Sequence, residues 1–309
     1  LFFLNFRRMP MTDYDNVTSN GVKSTGRSFH LVGDEGRIGV WHMLPQSLAQ
    51  NSETLSDDEM EALLADTRYP LVLYAHGNSF DRTIEHRCQL YNVLTQMNYQ
   101  VITFDYRGYG DSDGSPTEEG IVNDTRLVYE YVKKHSKANE IIVWGHSMGT
   151  GVCTRLTKEL SLTGDAPAGL VLESPFNNLS DAVLNHPFSI PIRWMPRRLI
   201  DKFVLNPLRS VGLIMESDER ITHVTCPILI LHAEDDHVIP VKLGRALRDA
   251  AASASRDVEY VEFASERSLA HKFIYQAEEL PEIVSKFVTK CRSPVKTEHT
   301  EETTSHGVN

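Results

Sequence analysis

Short apolar runs recur along the chain and alternate with longer amphipathic stretches. Residues 71–74, 101–104, 141–144, 170–172 and 228–231 are short, mostly apolar runs that predict buried strands, and 258–263, in approximate alternation, predicts a sixth. Between them, 85–97, 118–135, 148–160 and 243–252 carry helical patterns. Strand and helix taking turns implies a mostly parallel central sheet with helices on both faces. Ligands are then expected where the carboxyl ends of the strands meet the loops.

One segment breaks the rhythm. Residues 174–225 lie between two predicted strands, include Pro187, Pro191, Pro196, Pro207 and Trp194, and are too long for a simple connection. They predict a helical cap inserted over the site. Residues 1–27 are turn-rich and 292–309 are polar. Neither promises enough apolar burial to offset the entropy of ordering, so both read as flanks of one domain, 28–291.

Composition narrows the function. The chain has 309 residues, 41% of them hydrophobic, enough for a full core. With 31 Lys and Arg against 42 Asp and Glu, the net charge is −11, which leaves no basic stripe for nucleic acid. Cys88, Cys153, Cys226 and Cys291 have no C-x-x-C spacing, and the histidines are scattered, so neither a metal nor another cofactor is expected. No apolar run approaches the 18 residues of a membrane span. The chain opens on an apolar stub before Arg7 and Arg8, and further residues, where any anchor would lie, are expected upstream of Leu1.

The pattern G-x-S-x-G places a serine on a tight strand-to-helix turn, flanked by small residues. It occurs twice, as Gly145-His146-Ser147-Met148-Gly149 and as Gly110-Asp111-Ser112-Asp113-Gly114. Only Ser147 follows a predicted strand and opens a predicted helix. Ser112 sits between two carboxylates that would oppose an alkoxide, and is expected to be a decoy. An acid and a histidine should follow in chain order. Asp236, after the run 228–231, is the expected acid, with Asp235 as its near competitor and Glu173 as a weaker one. His271, just past the last strand, is the expected base; His237 adjoins the acid, and His299 and His306 lie in the polar tail. For an oxyanion, two backbone N–H donors are expected, from Met148 and from Asn78, with Ser79 as the alternative to Asn78.

These segments, with His76-Gly77-Asn78 and Asp105-Tyr106-Arg107-Gly108-Tyr109-Gly110, resemble the α/β-hydrolase superfamily. Narrower signals are Gly39-Val40-Trp41-His42, Leu172-Glu173-Ser174-Pro175-Phe176, His186-Pro187-Phe188-Ser189, Leu231-His232-Ala233-Glu234-Asp235-Asp236 and His271-Lys272-Phe273-Ile274-Tyr275. In these the chain resembles the abhydrolase domain-containing protein 12 family and its close paralogue, from the N-terminal stub to about residue 290. The resemblance implies a serine lipase acting on lysophosphatidylserine and monoacylglycerol, with Ser147, Asp236 and His271 on the family's triad. It also implies anchoring in the endoplasmic reticulum membrane with the catalytic domain in the lumen. Sequons at Asn16, Asn123 and Asn178 permit that setting, whereas Arg7 and Arg8 favour the cytoplasmic side.

In the cap, Phe188, Ile190, Ile192, Trp194, Met195 and Phe203 would line an acyl-chain pocket, graze a membrane or simply pack on the sheet. Arg193, Arg197 and Arg198 would face an anionic headgroup or water. The expected partner is a lipid ester at a membrane; oligomeric state is not legible. Rival readings are an acyl-protein or acyl-CoA thioesterase, which uses the same triad, and a catalytically silent scaffold of the same fold.

Overall fold

The computed structural model describes Phe3 and residues 12–49, 55–136, 140–192 and 194–292. All six expected strands are present: β3 (Leu71–Ala75), β4 (Gln100–Phe104), β5 (Ile141–His146), β6 (Gly169–Glu173), β7 (Ile228–Ala233) and β8 (Val258–Phe263). Two more precede them, β1 (Gly26–Gly33) and β2 (Gly36–Met43). The sheet order is β1-β2-β4-β3-β5-β6-β7-β8. Strands β3 to β8 run parallel, while the β1–β2 hairpin is antiparallel and joins β4 antiparallel.

Alternation along the central strands feeds two cores. Leu71, Leu73, Val143, Leu170 and Ile230 face one side, where they meet helices α2 (Glu118–Ser136), α3 (Met148–Leu162) and α4 (Val241–Ser253). Val72, Tyr74, Ile142, Trp144, Val171 and Leu229 face the other, against α1 (Glu85–Gln96) and α5 (Leu280–Arg292). Helix α5 was not expected, although its buried Leu280, Val284, Phe287 and Val288 have helical spacing. The parallel strands all point their carboxyl ends to one edge, and that edge carries the loops after β3, β5, β7 and β8.

The N-terminal expectation needs correction. Residues 12–25 are not an unpacked flank: Tyr14, Val17 and Val22 are buried, Tyr14 Oη donates to Asp81 Oδ2 at 2.5 Å, and Trp41 Nε1 donates to the Tyr14 carbonyl at 2.7 Å. Three scattered apolar residues suffice because β2 and α1 supply the other wall. Beyond Arg292, the polar tail with His299 and His306 lies outside the described residues.

The segment 174–225 is largely short helices, among them Leu179–Asn185, Arg197–Ile200, Asp201–Leu205 (a π turn) and Asn206–Ser210. Its return leg is tied to the body by Glu118. That buried carboxylate accepts from the backbone of Ile214 at 2.6 Å and Met215 at 2.9 Å, and pairs with Arg220 at 2.7 Å.

Candidate active site

Ser147 occupies the turn between β5 and α3 with φ +53° and ψ −118°, a strained backbone for a side-chain-bearing residue. The glycines around it are required by space. A Cβ at Gly149 would lie 2.1 Å from the Ala75 carbonyl oxygen, and one at Gly145 would lie 2.4 Å from that of Gly149. The turn is pinned from the neighbouring strand, as the Ser147 N–H donates to the Glu173 carbonyl at 2.9 Å. Its side chain is thereby presented at the carboxyl edge of the sheet.

His271 reaches it from the loop after β8. Its Nε2 lies 2.9 Å from Ser147 Oγ and its Nδ1 lies 2.7 Å from Asp236 Oδ2. With Nδ1–H donating to the carboxylate, Nε2 is left as an acceptor for the serine hydroxyl. The other oxygen of Asp236 accepts from the backbone N–H groups of Val238 at 2.9 Å and Ile239 at 2.8 Å. Burial alone would push the Asp236 carboxyl up, but His271, together with His232, outweighs it and holds the group well below the usual carboxylate range. The acid therefore stays ionised beside the imidazole.

The competitors have other tasks. Asp235 accepts from the Ala270 N–H at 2.9 Å and so fixes the loop that carries His271, where Ala270 itself has φ +47°. Glu173 is turned toward Trp144, whose Nε1 donates to it at 2.9 Å, and burial pushes its carboxyl up to about 7. His237 is exposed. Ser112, the expected decoy, is buried: its hydroxyl donates to the Asp105 carbonyl at 2.7 Å and accepts from the Gly39 N–H at 2.9 Å.

The loop after β3 lies against the serine. A Cβ at Gly77 would sit 3.2 Å from Ser147 Cβ, so the chain at 76–78 passes within contact of the nucleophile position. Met148, the first residue of α3, offers an N–H of the first turn that has no intrahelical partner. Sequence reasoning missed what holds the facing loop. Arg87, buried on α1, donates to the carbonyls of Ser79 at 2.6 Å, Gly77 at 3.2 Å and Asp81. Tyr109 Oη donates to Asn78 Oδ1 at 2.8 Å, and Tyr106 Oη to the His76 carbonyl at 3.0 Å. Arg87 lies on an amphipathic helix, so nothing in the sequence distinguishes it from a surface charge.

His146, inside the G-x-S-x-G motif, is a further support. Its Nε2 donates to the His271 carbonyl at 2.9 Å. Burial, with His271 nearby, keeps its imidazole well below the ordinary value and hence neutral.

The candidate residues of the segment 174–225 divide. Ile190, Trp194 and Phe203 are exposed, Met195 is half-buried, Arg197 pairs with Asp201 at 3.0 Å, and Arg198 is exposed. Arg193 and the side chains of Phe188 and Ile192 lie outside the described residues. A cleft of about 500 Å³ opens among Glu118, Glu119, Arg155, Lys158 and Arg220, where it is walled by ion pairs and touches none of Ser147, Asp236 and His271. Among the described residues, no group of three or more His, Cys, Asp or Glu is placed to hold a metal ion, and no helix is long and apolar enough to cross a membrane.

Comparison with known proteins bears on the fold and the family. Residues 70–217 match a family model described as serine aminopeptidase, S33. Among solved structures, the Pyrococcus furiosus esterase Pf2001 superposes with a TM-score of 0.63 at 18% identity, over 93% of this chain and 98% of that one. Est1E from Butyrivibrio proteoclasticus gives 0.59 at 16% identity, over 86% and 99%. These likenesses show the α/β-hydrolase fold. In sequence, the chain is 40% identical over 294 residues to a protein named lysophosphatidylserine lipase ABHD12 from Danio rerio, covering 93% of this chain and 76% of that one. It is 41% identical over 295 residues to the Rattus norvegicus protein of the same name (94% and 73%), and 37% identical over 235 residues to human Protein ABHD12B (76% and 64%). At that identity, over most of both chains, this protein belongs to the abhydrolase domain-containing protein 12 family of α/β-hydrolases.

Proposed function

We propose that the chain hydrolyses carboxylic esters of single-chain lipids, lysophosphatidylserine and monoacylglycerol, through an acyl-enzyme on Ser147. The observation that carries this reading is the hydrogen-bonded line from Ser147 Oγ through His271 to Asp236. His271 Nε2 takes the hydroxyl proton as Oγ bonds to the ester carbon. Asp236, held ionised, supports the imidazolium that results. The carbonyl oxygen becomes an oxyanion, which the N–H groups of Met148 and Asn78 would receive. Collapse breaks the bond to the alkoxy oxygen, which leaves with the proton from His271. A water, deprotonated by the same nitrogen, then releases the fatty acid and restores Ser147.

The lipid substrate class rests on the relatives, whose printed name is lysophosphatidylserine lipase. Steady-state rates on lysophosphatidylserine, monoolein and a palmitoyl thioester, measured side by side, test it. The reading expects both oxygen esters to exceed the thioester in kcat/KM by at least about tenfold. A thioester preference would replace it with a thioesterase.

We also propose the luminal face of the endoplasmic reticulum membrane as its setting, on the resemblance in sequence. Among the sequons, Asn16 is exposed, whereas Asn123 lies on α2 followed by the buried Asp124 and Thr125, and the Asn178 amide is engaged, its Nδ2 donating to Asp218 at 2.9 Å and its Oδ1 accepting from the Asp181 N–H at 2.8 Å. In cells, glycosidase treatment should shift the wild-type band and leave Asn16→Gln unmoved; a band insensitive in both would count against the lumen.

A further inference from the structure

Large apolar side chains rarely stand in water together on a soluble protein. Here, among the described residues, Trp194 is 81% exposed, Phe203 62%, Val211 70% and Leu199 41%, all within eighteen residues of the cap. Leu199 and Phe203 are four residues apart on the continuous helical stretch formed by Arg197–Ile200, Asp201–Leu205 and Asn206–Ser210, so they share one face. Ile200 and Leu205 of the same stretch are buried and pack it on the body. The exposed face is thus surplus to holding the cap on the body.

The charges around it are unusual for this chain. Between residues 193 and 212 there are five Lys and Arg against Asp201 alone, in a protein of net charge −11. Arg197 is paired with that aspartate. Arg198, Lys202 and Arg209 are exposed and form no ion pair among the described residues. Arg198 and Lys202 are again four apart, flanking the Leu199–Phe203 ridge. An aromatic and aliphatic ridge bordered by unpaired basic residues has the chemistry of a helix that lies in a lipid interface and prefers anionic headgroups.

Its place in the fold is consistent with delivery to the site. The cap leaves the sheet at Ser174, the residue after Glu173, whose carbonyl holds the Ser147 N–H. Half-exposed Phe273 stands two residues beyond His271.

We infer that the exposed face of 194–211 is a membrane-docking surface, which seats the cap on an anionic lipid interface from which single-chain lipid esters enter the site. This rests on the lipid-ester reading above for its purpose, but its test does not depend on activity. Trp41 and Trp144 are fully buried, so Trp194 is a built-in reporter of the cap.

The full chain is mixed with phosphatidylcholine vesicles, with or without phosphatidylserine, some carrying brominated acyl chains. The expected result is partition onto the phosphatidylserine vesicles, with quenching of tryptophan emission by the bromolipid that disappears in Trp194→Phe. The double variant Arg198→Gln/Lys202→Gln should bind anionic vesicles roughly 25-fold more weakly, about fivefold per charge. Trp194→Ser/Phe203→Ser should bind more weakly still, while turnover of a water-soluble ester stays at the wild-type rate in both. Absence of partition by the wild type, or partition unaltered in both double variants, overturns the inference. So does self-association that blue-shifts Trp194 without lipid, because the face would then be covered by a second copy. None of these outcomes alters soluble-ester turnover, whose loss in Ser147→Ala bears on the chemistry alone.

Discussion

Replacing Arg87 by methionine tests how the loop beside Ser147 is held. The guanidinium is buried and spans the carbonyls of Gly77, Ser79 and Asp81. Methionine fills much of the space but donates nothing. The Gly77 carbonyl keeps the His76 Nδ1 donor at 2.7 Å, so two carbonyls lose a partner. At about 1–3 kcal/mol for each group left unsatisfied, the expected destabilisation is about 3 kcal/mol. That corresponds to a fall in Tm of roughly 6–12 °C at about 2–4 °C per kcal/mol. The functional effect should be larger than the structural one. If Asn78 supplies an oxyanion donor, a loop free to shift loses it, and kcat falls on the order of 10²-fold with KM little changed. Lysine, a single point donor, should recover only part of either loss. The assay is steady-state hydrolysis of a short water-soluble ester, with a thermal melt, on wild type, Arg87→Met and Arg87→Lys. A variant whose Tm falls as expected while kcat stays within about threefold of wild type would refute the assignment of this loop to the oxyanion.

The remaining predictions concern the residues around it. Ser112→Ala should leave esterase activity intact and cost about 1–3 kcal/mol in urea unfolding, since the Gly39 N–H loses its acceptor and the Asp105 carbonyl its donor; loss of turnover in folded protein would promote it from decoy to participant. Gly149→Ala should give little soluble protein or a loss above about 3 kcal/mol, because its methyl would meet the Ala75 carbonyl oxygen at 2.1 Å, and a well-folded, fully active variant would contradict the packing of the elbow. Glu173 keeps its proton up to about pH 7 in the fold but only to about 4.5 when unfolded, so wild-type stability should decline across that window as pH rises. Glu173→Gln, neutral throughout, should match wild type near pH 4 and exceed it by on the order of 3 kcal/mol above pH 7; denaturant melts showing a pH-independent difference would rule this out.

What the sequence made legible follows from locality. Ser147 could be chosen over Ser112 because a run of four apolar residues before it and an amphipathic stretch after it are local signals of the turn it needs. His271 and Asp236 were expected from chain order and from their positions after predicted strands, and the structure brings them into one hydrogen-bonded line with Ser147. Arg87, Tyr109 and His146 were not legible as supports, because each acts through a backbone carbonyl or amide oxygen brought near only by the folded sheet. Residues 12–25 were misjudged for the same reason. Tyr14 looks solitary in sequence, yet its partners are Asp81 and Trp41, 67 and 27 residues away. Residues 174–225 stand out in the sequence by their length and prolines, but which of their apolar residues face water depends on packing that no short pattern encodes.

Ser147 is the residue proposed to form the covalent intermediate. Intact-mass and peptide mapping after treatment with a fluorophosphonate, in wild type and Ser147→Ala, tests it most directly. The expected result is one adduct per chain on Ser147, loss of lysophosphatidylserine hydrolysis in step with labelling, and neither adduct nor hydrolysis in the alanine variant. An adduct on another residue, or hydrolysis that persists in folded Ser147→Ala, would contradict it.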